Sequence, residues 1–281
     1  MKNYDFPFDF DDPHMAALLE DTPFWSARFG MMMMSHLPLA PNMQILDLAC
    51  GTGFPLFQLA SMFGPSSHIT GLDIWKEGLN HAEKRRAHFG IENVSLVHLD
   101  GDHYPFPDDH FDWVVSNLGV NNFDNPQSAL AECARVLKPD GRIAITTNLT
   151  GHMQAFYTVF RAVLKDHKNQ TYLQRLTAHE AHRGTVKSHA NLLSSAGFIG
   201  EKAVEDQFIL RFLDGSALFS YPLIRFAFMP AWLGIIDEDE QDSIMEAVEN
   251  RLNEVATVDG EIRLSIPMLY LQGRLNDINS G

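Results

Sequence analysis

The sequence predicts an α/β fold built on a doubly wound, mostly parallel sheet of seven strands, with additional helical segments. From residue 44 to residue 149, short apolar runs typical of strands alternate with segments of helical periodicity. Such alternation is typical of parallel sheets that carry helices on both faces. Two later runs, 202–212 and 261–274, supply the last strands, and we expect the final one to run antiparallel beside the one before it.

The first half of the chain carries this alternation. We expect a leading helix over 14–37, whose aromatic and methionine face either packs into the core or closes over a ligand. Strands are expected at 44–50, 68–74, 94–100, 111–117 and 142–149. The helices between them are expected at 55–64, 77–90 and 128–141. Pro55 suits the first turn of such a helix, and each of the three ends on a glycine, as helices often do.

The second half of the chain is expected to add helices and complete the sheet. Residues 151–183 have helical character, and 185–198 form a helix that leads to the sixth strand. The segment 213–258 interrupts the last strand pair and is apolar first, then acidic and helical. Its aromatic residues are Phe219, Tyr221, Phe226, Phe228 and Trp232. Three roles stay open for this segment: domain core, dimer interface, or the roof of a pocket for an aromatic or lipid-like molecule.

Composition and charge limit the partners of the protein. The formal net charge is −15, from 21 basic and 36 acidic side chains, and so acidic a surface repels phosphate backbones and anionic lipids. We therefore expect no nucleic-acid partner. The 2 cysteines cannot form a disulfide framework, and neither the acidic first residues nor the interrupted apolar stretch at 217–236 has the pattern of a signal peptide or membrane span. A cytoplasmic, soluble protein is expected.

The motif with the most chemical content is DLACGTG at 47–53, between the first strand and its helix. Glycines there let a ligand approach the backbone near the positive end of a helix. A dinucleotide fingerprint would need another glycine at position 56, where the chain has Leu56. Asp73 and Asp100 end the next two strands, where carboxylates can accept hydrogen bonds from ribose hydroxyls and an adenine amino group. The pattern predicts a ligand that contains adenosine.

Four segments in order resemble the successive motifs of class I S-adenosylmethionine-dependent methyltransferases: ILDLACGTG, GLDI, HLDGDHYPFPDDHFDWVVSN and ARVLKPDGRIAITTN. Within that superfamily, LGVNNFDNPQSALAECARVLKPDGR is most similar to the ubiquinone and menaquinone biosynthesis C-methyltransferases. Those enzymes have a glycine-x-arginine-asparagine turn where this chain has Gly119, Val120, Asn121 and Asn122. The resemblance implies a Rossmann-like methyltransferase fold and S-adenosyl-L-methionine as the cofactor.

The same resemblance assigns residues to the cofactor. They are Asp47, Cys50, Gly51, Gly53, Asp73, Ile74, Asp100, Gly101, Asn117 and Leu118. It implies that Asp47 and the glycine turn hold the methionine part, and that Asp73 binds the ribose while Ile74 packs on the adenine. Asp100 and the Gly101 N–H would bind the adenine edge. Asn117 and Leu118 would border the transferable methyl group, and Cys50 would only fill space.

The sequence motifs indicate the residues that bind the methyl acceptor or act in catalysis less clearly than those that bind the cofactor. His152 is a candidate general base, because it follows the fifth strand on the side where substrates bind in such folds. Candidate acceptor-binding residues are Trp25, Arg28, Asn121, Asn122 and Tyr157. His179 and His182 lack a third ligand in a recognisable pattern, so no metal site is expected.

These features predict methyl transfer to a small, largely apolar or aromatic molecule, with catalysis mainly by alignment and desolvation. Two alternatives stay open: a nicotinamide-dependent oxidoreductase, or a non-catalytic partner protein that binds the cofactor. An oligomer is possible. We expect five parts: a helical cap (1–40), the cofactor-binding core (41–150), a helical insertion with the remaining core helix and strand (151–212), an apolar helical lid (213–260), and the final strand and tail (261–281). Residues 14–35 and 213–258 are expected to cover the methyl-transfer site.

Overall fold

The computed structural model describes residues 4, 9–20, 24–99 and 101–276. The chain forms two compact units. The larger unit comprises Phe10–Asn148, Thr185–Asp206 and Met268–Gly281, and the smaller unit comprises Met1–Asp9, Leu149–Gly184 and Gln207–Pro267. The five-part division and the lid expected from the sequence stay predictions.

The strands form one sheet of seven. They are β1 (Gln44–Leu48), β2 (His68–Asp73), β3 (Val94–His98), β4 (Phe111–Asn117), β5 (Leu137–Asn148), β6 (Phe198–Phe212) and β7 (Ile262–Leu275). Their order across the sheet is β3-β2-β1-β4-β5-β7-β6. The pairs from β3 to β5 are parallel, whereas β7 runs antiparallel to β5. The predicted fold class is confirmed, including a final strand that lies within the sheet.

Helices of the larger unit cover this sheet. They are α1 (Pro13–Glu20), α2 (Phe24–His36), α3 (Leu56–Phe63), α4 (Lys76–Phe89), α5 (Pro126–Val136) and, after the helices of the smaller unit, α8 (Val186–Ser195). The amino-terminal α1 packs on α4, and α2 packs against β4 and β5. Glu20 on α1 ties the first of these contacts through ion pairs with His81 and Arg85. The described parts of the predicted leading helix are α1 and α2, and residues 21–23 lie outside the described part.

The helix predicted over 128–141 is too long at its carboxyl end, because α5 stops at Val136. Lys138 to Gly141 belong to β5 instead. Pro139 explains the difference, since proline has no N–H for the helix ladder and disfavours helical backbone at the residue before it. Gly141 is also closely packed, because a Cβ there would lie 2.7 Å from the Lys138 carbonyl oxygen.

The smaller unit is helical where it is not strand. Its helices are α6 (Gln154–Asp166), α7 (Gln170–Ala181), α9 (Gly215–Ser220), α10 (Met229–Leu233) and α11 (Gln241–Asp259), with a π-helical turn at Ile224–Phe228 before α10. The long helix α11 packs against α6 and α9. Phe156 and Trp232 stack with their ring centroids 3.9 Å apart, and Phe219 lies beside both. Four of the five aromatic side chains of the 213–258 segment, all but the half-buried Tyr221, are thus buried in a core of this unit. None of the described helices has the length and apolar character needed to cross a lipid bilayer.

Candidate functional site

A cavity of about 250 Å³ opens in the larger unit at the carboxyl ends of β1 and β2. Parallel strands deliver their last residues to one edge of the sheet, which is why segments distant in the chain meet there. The lining residues are Leu48, Ala49, Leu72, Asp73, Ile74, Leu99, Gly101, Asp102, Tyr104, Asn122, Phe123, Asp124, Asn125, Ser128 and Ala129. The cavity thus brings together three predicted cofactor residues, Asp73, Ile74 and Gly101, with the predicted acceptor residue Asn122.

Asp73, the last residue of β2, presents a carboxylate to this cavity that two backbone N–H groups hold in place. Its Oδ2 accepts a 2.7 Å hydrogen bond from the Gly51 N–H, and its Oδ1 accepts one of 2.8 Å from the Trp75 N–H. Burial raises the pKa of this carboxyl, while these two N–H donors oppose the rise. A carboxylate oxygen has lone pairs beyond the one that each N–H occupies. Asp73 is therefore fixed in place and still able to accept hydrogen bonds from a ligand.

The glycine turn brings open backbone to the same edge. Gly51 has a φ of 52°, and a Cβ at this residue would have no neighbour within 4 Å. Gly53 has a φ of 101°, and a Cβ there would lie 2.3 Å from the Phe57 ring. Gly51 thus leaves room for an approaching ligand. At position 53 a glycine is needed because the φ angle is positive and a Cβ would clash with the Phe57 ring. Ala49 also has a positive φ, 61°, which is uncommon for a residue with a side chain.

Asp47 on β1 is a buried carboxylate that the protein leaves unsatisfied. Both of its oxygens are buried, and within the described chain neither has a hydrogen-bond partner of normal geometry. Burial and the nearby negative charge of Asp73 raise its pKa well above the usual range, and the Leu56 N–H opposes this less strongly. Unsatisfied buried polar groups are rare in proteins and call for an explanation. A cationic or N–H donor on a ligand would supply the missing partner.

Asn117 and Leu118, at the end of β4, are held by the protein itself. The Asn117 amide donates to the Ser26 carbonyl oxygen on α2 at 3.2 Å and accepts from the Thr146 hydroxyl at 2.7 Å. Leu118 has a positive φ of 65°, and its N–H donates to the Thr146 carbonyl oxygen. Neither residue lines the cavity of Asp73. Their expected place beside the transferable methyl group stays a prediction.

Other predicted residues have different surroundings. Cys50 is buried behind the turn, and a Cβ on Gly71 would lie 2.7 Å from its Sγ. Trp25 is buried with its ring centroid 5.9 Å from that of Phe29, and Arg28 lies on the same helix, α2. The Asn122 amide donates to the Leu118 carbonyl oxygen at 3.1 Å. Asp100 and the side chain of Asn121 lie outside the described residues.

His152 and Tyr157 belong to the smaller unit, where both are buried. The Tyr157 hydroxyl lies 3.5 Å from the His152 Nε2. Burial and the charge of Arg183 lower the pKa of His152 to about 3, so this imidazole is neutral near pH 7. Neutral His152 is a hydrogen-bonding group of low proton affinity.

Sequence reasoning missed part of the cavity lining. Tyr104, Phe123 and Ser128 line the cavity; all three lie within the segments that resemble methyltransferases, but none was predicted to bind a ligand. Tyr104 is set by an ion-pair cluster behind it, because its N–H donates to Glu132, which also pairs with Arg135. Their position in the chain could have identified them. Segments that follow β3 and β4 must lie at the carboxyl edge of the parallel sheet, where Asp73 also lies.

Comparison with known proteins identifies the family. The model of the methyltransferase domain family matches residues 39–196, more than half of the chain. Demethylmenaquinone methyltransferase from Listeria monocytogenes is 34% identical over 145 residues, which are 47% of this chain and 61% of that protein. The chain thus spans less than two thirds of the length of that relative.

Solved structures share the fold. The YcgJ protein from Bacillus subtilis has a TM-score of 0.57 at 19% identity, with 89% of this chain and 99% of that one covered. A SAM-dependent methyltransferase from Aquifex aeolicus has a TM-score of 0.54 at 20% identity, with coverage of 69% and 92%. The chain therefore belongs to the methyltransferase domain family, whose cofactor is S-adenosylmethionine, as the four sequence motifs predict.

Proposed function

We propose that this chain is an enzyme that transfers a methyl group from S-adenosylmethionine to a small, largely apolar or aromatic molecule. The observation that carries the proposal is the carboxylate of Asp73, held by two backbone N–H groups at the edge of the cavity. A carboxylate fixed there is suited to accept hydrogen bonds from both hydroxyls of a ribose. Family membership favours methyl transfer over the nicotinamide-dependent alternative.

The residues around Asp73 fit the rest of the cofactor. Ile74 is 72% exposed at the cavity, so its apolar side chain is open to packing by a flat ring such as adenine. The unsatisfied carboxylate of Asp47 suits the ammonium group of the methionine part. The open backbone at Gly51 allows close approach. Gly101 and Asp100 are proposed for the adenine edge, as the family resemblance implies.

Methyl transfer requires the protein mainly to position the two reacting molecules. S-adenosylmethionine supplies a methyl carbon that its sulfonium group already activates for displacement. The chain must bind and align the two molecules and exclude water, which can together lower the barrier by several kcal/mol. A base is needed only for a nucleophile that begins protonated at high pKa. Because the pKa of His152 is about 3, we infer that alignment and desolvation carry catalysis rather than proton removal by this residue.

The relatives support a class of methyl acceptor but not a particular molecule. The Listeria monocytogenes relative is named for demethylmenaquinone, a quinone with an apolar side chain, but only 61% of that protein is covered. This chain also has Asn121 where the corresponding turn of that group has arginine. A small aromatic acceptor is therefore proposed, without the identity of the quinone.

Binding of S-adenosylhomocysteine tests the cofactor site. In isothermal titration calorimetry, Asp73→Ala should weaken binding by about 1–3 kcal/mol, because ribose hydroxyls lose a charged acceptor. Glu92→Ala removes an exposed carboxylate that does not line the cavity, and should leave the affinity unchanged. Equal affinity of Asp73→Ala and the unmutated protein would refute the assignment.

Turnover is tested separately. The protein is incubated with methyl-labelled S-adenosylmethionine and a reduced 1,4-naphthoquinone, and the quinol fraction is examined by mass spectrometry. We expect label in the quinol fraction with the unmutated protein and little with Asp73→Ala. A protein that binds S-adenosylhomocysteine but labels neither this quinol nor a panel of phenols would instead support a non-catalytic binding role.

A further inference from the structure

A second group of polar side chains lies in the smaller unit, around the hydroxyl of Tyr157 on α6. This hydroxyl lies 3.0 Å from the Nε2 of His179 on α7 and accepts a 3.2 Å hydrogen bond from the Nε1 of Trp232 on α10. The Nε2 of His152 is the third neighbour, at 3.5 Å. Tyr157, His152 and Trp232 are buried, whereas His179 is half-buried. The buried members therefore fix the Nε2 edge of an imidazole ring that stays partly accessible.

Arg183 adds an uncompensated positive charge beside this group. It is half-buried, and burial lowers the pKa of its guanidinium. Its charge also lowers the pKa values of His152, His179 and Tyr157, although the much stronger effect of burial still raises that of Tyr157 to about 12. In the part of the chain that the structure describes, the Arg183 guanidinium forms no ion pair and donates no hydrogen bond. A guanidinium removed from water in this way normally has a carboxylate or phosphate partner.

The other charged groups that influence Tyr157 and His179 form no ion pair with Arg183 among the described residues. Glu180 is close enough to influence Tyr157, but its carboxylate is engaged in an ion pair with Arg161. His182 is a further basic neighbour of His179. The chain around Arg183 is itself held in place, because the Thr150 N–H donates to the carbonyl oxygen of Gly184. The group therefore combines a fixed backbone, an oriented imidazole and a cation without a counter-ion.

We propose that Arg183 and His179 form a binding site for an organic oxyanion, the carboxylate or phenolate of an aromatic molecule, with Tyr157 as the positioning residue for His179. The planar guanidinium matches a carboxylate with two parallel hydrogen bonds. When the Nε2 of neutral His179 accepts a hydrogen bond from the Tyr157 hydroxyl, its Nδ1 carries the proton and can donate one hydrogen bond to a ligand. This site lies in the smaller unit, and it goes beyond the proposed function without depending on it.

Calorimetry with a matched pair of probes tests the site. Benzoate and benzamide, which differ in charge but little in shape, are titrated into the full chain saturated with S-adenosylhomocysteine. We expect benzoate to bind at least about tenfold more tightly than benzamide, since hydrogen bonds to charged groups are the stronger ones. Equal binding of the two probes, or no binding of benzoate, overturns the proposal. A 4-nitrophenolate titration distinguishes the phenolate from the carboxylate.

Substitutions at Arg183 and Tyr157 test whether benzoate binds at the proposed site. Arg183→Ala and Arg183→Gln should each weaken benzoate binding about tenfold or more. Arg251→Ala removes an exposed arginine of the same unit that pairs with Asp166, and should leave benzoate binding unchanged. Tyr157→Phe keeps the ring and removes the hydroxyl, so it should weaken benzoate binding less than Arg183→Ala and shift the His179 imidazole resonances in NMR. Unchanged benzoate binding in both Arg183 variants places the anion elsewhere.

Two further measurements separate the possible failures. Inorganic phosphate is titrated in parallel, and binding as tight as that of benzoate would overturn the assignment to an organic molecule. Binding of S-adenosylhomocysteine to each variant reports on the Asp73 site independently. If the cofactor product binds and benzoate does not, this inference fails alone. If benzoate binds through Arg183 and no methyl transfer is found, the proposed function fails and the oxyanion site remains.

Discussion

The two units of this chain build their polar sites in different ways. In the larger unit, the groups around the cavity come from strand ends, and backbone N–H groups of Gly51 and Trp75 hold Asp73. In the smaller unit, side chains of three helices meet at the Tyr157 hydroxyl. Strand ends of a parallel sheet place residues by topology, whereas a helical cluster depends on how particular side chains pack. The first kind of site is encoded in short motifs, and the second is not.

The units also differ in what they leave unsatisfied. The larger unit keeps a buried carboxylate, Asp47, that has no hydrogen-bond partner of normal geometry among the described residues. A buried polar group without a partner is rare and calls for an explanation such as a bound ligand. The smaller unit has a dense aromatic core around Phe156 and Trp232, and its unsatisfied group is a cation, Arg183. The two sites therefore suit ligand groups of opposite charge.

The largest effect we expect comes from emptying the core of the smaller unit. Phe160 is fully buried on α6, and Phe160→Ala should lower the free energy of unfolding by about 3–5 kcal/mol through lost burial and a cavity. Leu213 is 73% exposed in the same unit, so Leu213→Ala should change it little. Denaturant titration gives both values. If the two variants destabilise equally, our description of this core is wrong.

Acid should destabilise the smaller unit through His152. Its folded pKa of about 3 lies below the unfolded value of 6.5, so below pH 6.5 the unfolded chain binds a proton that the folded chain does not. The penalty for folding grows as the pH falls from 6.5 toward 3, and between pH 7 and pH 5 it amounts to about 2 kcal/mol. His152→Gln should remove that part of the loss in denaturant titrations at the two pH values. His179, whose pKa is also lowered, stays in both proteins and cancels in the difference.

The contrast between the units also explains what the sequence could predict. The alternation of strands and helices predicted the sheet, and the spacing of Gly51, Gly53 and Asp73 predicted residues that the fold places at one edge. The end of α5 was misjudged because Lys138 to Gly141 look like a helix exit, yet they belong to β5, whose first residue, Leu137, pairs with Phe111 of β4. Local signals of this kind do not include the neighbouring strand, which decides the outcome.

The group of side chains around Tyr157 shows more clearly what could not be predicted from the sequence. His152 and Tyr157 were singled out one by one, but the partners of Tyr157 lie 22 and 75 residues away along the chain. No periodicity connects Tyr157 on α6 with Trp232 on α10, because their contact depends on the packing of whole helices. Arg183 had no motif at all. Its significance comes only from the absence of a counter-ion among the described residues.

The smallest effect we expect concerns Asp47 and would sharpen the comparison most. Because burial and Asp73 raise its pKa, ionised Asp47 destabilises the fold at neutral pH. Asp47→Asn removes that charge at nearly constant shape, so the free energy of unfolding without ligand should rise, by about 1 kcal/mol as is common for a stabilising substitution. The same variant should bind S-adenosylhomocysteine about tenfold more weakly, because a neutral amide replaces the acceptor of an ammonium group. Glu92→Ala serves again as the control. Denaturant titration measures the stability, and calorimetry measures the affinity.

A gain in stability together with a loss of affinity would mean that the larger unit keeps an unfavourable charge for its ligand. A loss of both would mean instead that Asp47 supports the glycine turn, and the cofactor would then depend on Asp73 and the open backbone alone.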